Sequence, residues 1–562
     1  MSGERTTGVL PFTSILVLLM VTRASAFSIV GWGDQLVNTD LNHQKIVAIS
    51  AGGFHNLALK ADGSIAGWGL NNLSQAFPPD GNDYVAIDAG NSHSLALRSD
   101  GTIACWGFSD ECNSTPEGND YVAIAAGDDH GLALTIDGRI VAWGWGQNYF
   151  NQMDTPDGND FVAIAAGNTH SLALKADGKI VAWGGNEFGQ ANPPDGNDFV
   201  AIASGEHFGL AIKADGSIVG WGQNDYGQAS PPDGNGYVTI AAGDTHSLAL
   251  KSDGTLIAWG RDDPGQSSPP DGNDFIAIAV GISCNLALKS DGTVVAWNNS
   301  TAILKTAPID MNDYVLTVAG LGHSLALTSD GKIVGWGSDE YGQASPPDGN
   351  GYIDLAAGGF HSIALKSDGT IVGWGWNRYS ETSPPDGNDY VAVAAGVGYS
   401  LALRSNGTLV GWGVNKHGQA EPPDGNDFFA VSAGALHGLA LRSDGSIVGW
   451  GKNDYGQASP PDGNDFQAIA AGGDYSLALR TDGSIVGWGR NDYGQASPPK
   501  GDGFIAISAG YWHDLALRMD GTIVGWGQND YGNGKADSPP GDNYTAIAAG
   551  GYHSLALKTR RY

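Results

Sequence analysis

The sequence predicts an all-β protein made of tandem β-propellers, fourteen repeats of about 38 residues read as two seven-bladed rings with three-stranded blades. Three observations predict it. An Ala-Gly type step recurs before an HSLAL-like run, with its glycine at 52, 90, 127, 167, 205, 243, 281, 320, 358, 396, 434, 472, 510 and 550. The chain carries 86 glycines and 25 prolines at 41% hydrophobic content, a mixture suited to many short elements joined by turns. The last repeat stops after HSLALK, His553 to Lys558, while FSIVGWG, Phe27 to Gly33, supplies a strand of the missing type near the N-terminus.

The elements follow in chain order. Residues 1–26 read as a signal peptide, with Arg5 in a polar lead, an apolar run from Ile15 to Val21 and Ala-Ser-Ala before Phe27. A representative repeat, Tyr237 to Gly260, contains YVTIAAG, HSLALK and TLIAWG. Alternation in the second segment puts Leu248 and Leu250 on one face, and the third ends in Trp259. The intervening Ser-Asp-Gly is a tight turn in which Gly254 takes positive φ. Links such as SPPDGND hold prolines that cannot donate to a ladder, so they lie between strands. The small residues of YVTIAAG suit a crowded central axis, and the repeated tryptophans suit the wide wedge between blades. No segment after residue 26 sustains a 3.6-residue apolar repeat.

The pattern VAIAAGxxHSLALxxDGxIxxWGxNxxGQ resembles the regulator of chromosome condensation repeat family over essentially all of the chain after residue 26. The short GQASPPDGN link leaves no room for the fourth strand usual in that family. The nearer likeness is to its short-repeat secreted branch, which includes the propeller-type β-lactamase inhibitory protein. That resemblance implies face-to-face protein binding on seven three-stranded blades, with no particular partner carried over. Two divisions of the chain fit. In one, rings of residues 27–290 and 291–562 each follow the order of the resembling inhibitor. In the other, the break lies in the irregular linker 298–312 and the N-terminal strand crosses to finish the second ring. The first is preferred here; a single fourteen-bladed ring is a third arrangement.

Charge narrows the function. The chain has 60 acids against 28 bases, a net charge of −32, and loss of residues 1–26 leaves about −33. Nucleic-acid binding needs Lys and Arg to displace counterions, so it is excluded as a reading. No later apolar run reaches the roughly 18 residues of a membrane span. Cys105 and Cys112, seven apart, either bridge in an oxidising compartment or remain thiols, and Cys284 has no evident partner.

Histidine fills the slot three after the ring glycine in ten repeats, and Phe208, Cys284, Tyr399 and Tyr475 fill it in the others. One side chain per blade cannot converge on a metal, so His246 and its equivalents read as structural, like Trp259. The Asp-rich turns lack EF-hand spacing and the glycine-rich links lack a P-loop lysine. No catalytic, metal or cofactor residues are assigned, and the chain reads as no enzyme. The expected function is an exported, secreted or cell-surface scaffold that binds a protein or cell-surface partner. A structural or matrix spacer is the alternative, and a propeller hydrolase or lyase ranks below both. The expected contact residues sit in the variable turn before the histidine slot: Phe54, Phe360, Tyr511, Trp512 and Tyr552, with Phe208 beside it. The competing location is the NDYG-type link around Tyr226, Tyr341, Tyr455, Tyr493 and Tyr531.

Overall fold

A three-stranded antiparallel blade is the building unit of the computed structural model, which describes residues 27–33, 35–38, 45–144, 148–262, 267–281, 285–297, 314–529 and 534–559. Residues 1–26, Cys284 and Tyr531 lie outside them. In the representative blade, Tyr237–Ala242 pairs with His246–Lys251, which pairs with Leu256–Gly260. The register slips between Tyr237 and Thr239, and Val238, left outside the ladder, is 52% exposed. Gly254 closes the second turn with φ of +82°.

Each blade buries two faces. Leu248, Leu250 and Leu256 pack on Phe275, Ile278 and Ala287 of the following blade. Ala249 and Trp259 pack on Phe208, Leu210 and Ile212 of the preceding one. The Trp259 indole N–H donates to the Gln228 carbonyl oxygen of the preceding link at 2.9 Å, and the Ser247 hydroxyl donates to the same oxygen at 2.9 Å. Backbone bonds tie the first turns together around the axis: the Gly359 N–H donates to Gly396 O at 3.1 Å and the Ala435 N–H to Gly472 O at 3.0 Å. A Cβ on Gly358 would stand 2.6 Å from Gly396 O, so this position of the repeat admits only glycine.

The chain divides into two compact units, residues 34–311 and residues 1–33 with 312–562. In the first ring every blade comes from one contiguous repeat, and Ile46, Ala51 and Trp68 of its first blade pack on Leu286, Leu288 and Val294 of its last. Gln35–Asn38 adds a fourth strand outside Ile65–Leu70, which the repeat pattern does not foretell. In the second ring six blades are contiguous, and the seventh combines Tyr544–Ala549, His553–Thr559 and Phe27–Gly33.

The expected boundary at 290/291 is therefore corrected. Val294–Trp297 pairs with Asn285–Lys289, so the seventh repeat already owns its third strand and has no opening for Phe27–Gly33. The fourteenth repeat ends without one. Pairing goes where a strand edge is unfilled, and the alternative division, with the N-terminal strand finishing the second ring, describes the pairing.

Cys105 and Cys112 form a disulfide with Cα atoms 5.2 Å apart, linking a third strand to the single helical turn Ser109–Cys112. No helix among the described residues is long and apolar enough to cross a membrane.

Candidate functional site

Because the third strand of a blade runs antiparallel to the second, its end returns to the end where the second begins. The backbone shows this: the Arg490 N–H donates to Asp474 O at 3.0 Å and the Gln528 N–H to Trp512 O at 2.8 Å. The first turn and the post-Trp link, treated as competing locations by sequence, thus share one rim in each ring.

On the second ring they pack against each other. The Tyr493 ring meets Trp512 of the next blade edge-on at 5.8 Å, and Tyr511 meets Trp512 at 5.0 Å. The Arg490 guanidinium lies 4.8 Å over Trp512 and 5.1 Å over Tyr455. Asp474 sits between two cations, 3.2 Å from Lys452 Nζ and 3.7 Å from Arg490 Nη1, while Arg490 Nε reaches Asp492 at 2.6 Å. Burial, then the negative charge of Asp474 and the neighbouring Tyr552, push the Tyr511 phenol above its ordinary range. Tyr455, Tyr493 and Tyr552 remain exposed. A second cluster joins Tyr341 to Phe360 at 5.7 Å and to Trp376 at 4.2 Å.

Of the expected contact residues, Phe360, Tyr511, Trp512 and Tyr552 lie on this rim, and Phe54 is half-buried on the first ring. Phe208 is corrected: it is fully buried in an interblade core, because it replaces the histidine that faces the next blade. Lys452, Arg490, Asp474 and Trp376 were not foreseen. For Lys452, Arg490 and Trp376 the signal was the variability of the slot after Trp-Gly, where Val414, Lys452, Arg490 and Gln528 succeed one another, and for Asp474 it was the variable turn before the slot that Tyr475 fills.

The slot histidines form a different system. His323 Nε2 lies 2.8 Å from Ser362 Oγ of the next blade, and that hydroxyl donates to Gln343 O at 2.9 Å. The serine proton is thereby committed, so the imidazole carries a proton on Nε2, and burial keeps the ring neutral. His246 makes the equivalent bond to Asn285 Oδ1 at 2.7 Å. Burial holds His323 down to about 3 and His361 to about 4. Each imidazole is locked in a separate blade junction. No group of three His, Cys, Asp or Glu side chains among the described residues is arranged to hold a metal ion.

Twelve segments match the regulator of chromosome condensation (RCC1) repeat: 46–75, 84–113, 121–152, 161–190, 199–228, 237–266, 315–343, 352–381, 390–419, 430–457, 466–495 and 504–533. The chain belongs to the RCC1 repeat family. The two repeats without a match are the seventh, followed by the irregular linker, and the fourteenth, which borrows its third strand. Among curated proteins no sequence matches at a significant level.

Solved structures similar to this RCC1-repeat chain include the ectodomain of the receptor kinase CR4 from Physcomitrella patens, at 22% identity and TM-score 0.40, over 47% of this chain and 76% of that one. Yeast RCC1 (Prp20), solved bound to Kap60, is similar at 20% identity and TM-score 0.37, over 50% and 93%. The CRINKLY WD40 ectodomain of the receptor kinase ACR4 from Arabidopsis thaliana is similar at 19% identity and TM-score 0.39, over 45% and 98%.

Proposed function

We propose that this chain is an exported, non-enzymatic binding scaffold whose second ring engages a protein or cell-surface partner through its aromatic rim. The observation that carries the reading is the Arg490 guanidinium layered between Tyr455 and Trp512, with Tyr493 and Tyr511 beside it. Trp, Tyr and Arg are the residue types that dominate binding hot spots. Holding them on turns of a rigid ring lowers the ordering cost of association. RCC1-type repeats generally mediate protein binding, which favours this class. The Cys105–Cys112 disulfide and the leader-like residues 1–26 support passage through an oxidising compartment. Affinity to the short-repeat secreted branch of the family belongs to the same proposal.

The test is capture from a surface extract of the source organism by the immobilised chain and by Tyr511→Ser/Trp512→Ser. Loss of the central anchors should cost about 2 kcal/mol or more of binding while the circular dichroism and melting point hold. Undiminished capture would remove the rim from the mechanism. Parallel loss of capture and stability would make the rings a cover for the channel mouth.

A further inference from the structure

The first strands of the second ring enclose a cavity of about 730 Å³, within the size range of small-molecule sites. Leu355, Val393, Val431, Ile469, Ile507 and Ile547 form one layer of its wall with Thr317, and alanines form the next. Of the wall's hydroxyls, Ser432 Oγ accepts from the Ala471 N–H at 3.0 Å and Ser508 Oγ from the Ala549 N–H at 2.9 Å, while the buried Thr317 Oγ1 has no hydrogen-bond partner among the described residues. A wall with so few polar side chains along its length is a poor host for water, which needs two to four polar partners.

The two ends of this channel differ. At the rim end only about 80 Å³ remains among the glycine turns. There a Cβ on Gly359 would stand 3.3 Å from Val397 Cγ1 and 3.5 Å from Leu321 Cδ1, so both side chains close over that turn. In the first ring the same slots hold Asn91, Asp128, Asn168, Glu206 and Asp244 around a cavity of about 330 Å³. One repeat position thus makes an acidic mouth in one ring and an apolar plug in the other.

At the opposite end the wall includes Met519, 80% exposed, Thr545 and Arg518. Arg518 occupies the strand-end position at which Arg404, Arg442 and Arg480 pair with Asp389, Asp427 and Asp465. Its own repeat carries Gly503 where those carry the aspartate. The nearby Asp520 is turned to the Thr522 amide at 3.0 Å and hydroxyl at 2.6 Å. Among the described residues no carboxylate pairs with Arg518, and its buried Nε has no hydrogen-bond partner.

We propose that the second ring binds a small amphiphile with a carboxylate head, the head on Arg518 and the hydrocarbon tail in the channel. A guanidinium beside an apolar channel supplies one charge-assisted anchor and a volume that only an apolar chain fills well.

The experiment titrates the full chain with cis-parinaric acid, whose fluorescence rises in apolar surroundings, and displaces it with dodecanoate or dodecanol. Saturable binding is expected, with dodecanoate the stronger competitor. Arg518→Gln should weaken dodecanoate at least about tenfold, equivalent to ~1.4 kcal/mol, and leave dodecanol unchanged. Ile507→Phe/Ile547→Phe should weaken both competitors, whereas Ile164→Phe/Ile202→Phe in the first ring should weaken neither. Absence of saturable fluorescence overturns the site, as does equal loss from both pairs of fillings. Equal dodecanoate affinity in Arg518→Gln overturns the head assignment. Should Ile507→Phe/Ile547→Phe not fold, a crystal of the unaltered chain with dodecanoate decides: density in the channel supports the proposal and an empty channel ends it.

Discussion

His553 Nε2 and Ser324 Oγ lie 2.6 Å apart although 229 residues separate them in sequence. Every other slot bond of the second ring joins one repeat to the next, as His361 to Ser400 at 2.9 Å and His513 to Ser554 at 2.8 Å. This one joins the last repeat to the eighth, and the Gly551 N–H donates to Gly320 O at 2.9 Å beside it. The ring is thus closed by the same local chemistry that joins its neighbours, which makes closure another junction.

Ser324→Ala should therefore cost about 1–3 kcal/mol, the penalty of leaving a buried donor unsatisfied, and Ser362→Ala at an internal junction a similar amount. Urea denaturation of both variants measures it. A loss at one junction with none at the other would contradict equivalence.

Deleting Phe27–Gly33 should leave His553–Thr559 as an unpaired edge, because those residues pair one to one from Phe27↔Thr559 to Gly33↔His553. Hydrogen exchange should accelerate in Tyr544–Ala549 and His553–Thr559 and stay unchanged in the first ring at Tyr237–Ala242. Unchanged protection throughout would show that the strand does not close the ring.

In one junction the histidine–serine pair is replaced by Tyr475 and Asp514, whose phenol donates to Asp514 Oδ1 at 2.6 Å. Burial pushes the Asp514 carboxyl well above its ordinary range. A folded value above the unfolded one means stability present at low pH and lost as pH rises through the folded value. The stability of Asp514→Ser minus that of the unaltered chain should therefore grow as pH rises from about 4 to about 8. A flat difference, read by urea titration across that range, would refute the buried-acid assignment.

Acid should destabilise both rings from well above the carboxylate range. Burial holds His55, His130, His323 and His513 at about 3 and His170, His361, His437 and His553 at about 4, against 6.5 for the free group. These are bases with depressed folded values, so the unfolded chain takes up protons first and stability falls as pH drops below 6.5. Asp88, Asp244, Asp354 and Asp514, raised by burial, act in the opposite sense but are outnumbered. Urea midpoints should fall between about pH 7 and about pH 5, and constancy over that interval would refute the neutral-imidazole junctions.

Much of the blade was legible because it is written locally. Alternation placed Leu248 and Leu250 together, the Ser-Asp-Gly turn put Gly254 at positive φ, and small residues marked the strand lining the channel. Of the site, the sequence located the turn carrying Tyr511 and Trp512 but not their company. Arg490 comes to them from the link of the preceding blade, and such a contact has no periodic signature. Phe208 was misread because an aromatic side chain beside a variable turn looks the same in sequence whether it faces solvent or the next blade; the strand register turns it inward, opposite Gly222.

The sequence by itself determined the repeat, its three strands, the tryptophan wedges and the orphan N-terminal strand, since each depends on residues near one another in the chain. Only the tertiary structure decided which ring that strand completes and which side chains meet on the rim. Phe27–Gly33 suits any blade edge of its kind, and the selection falls to the edge left unfilled, at His553–Thr559, once the other repeats have paired their own strands.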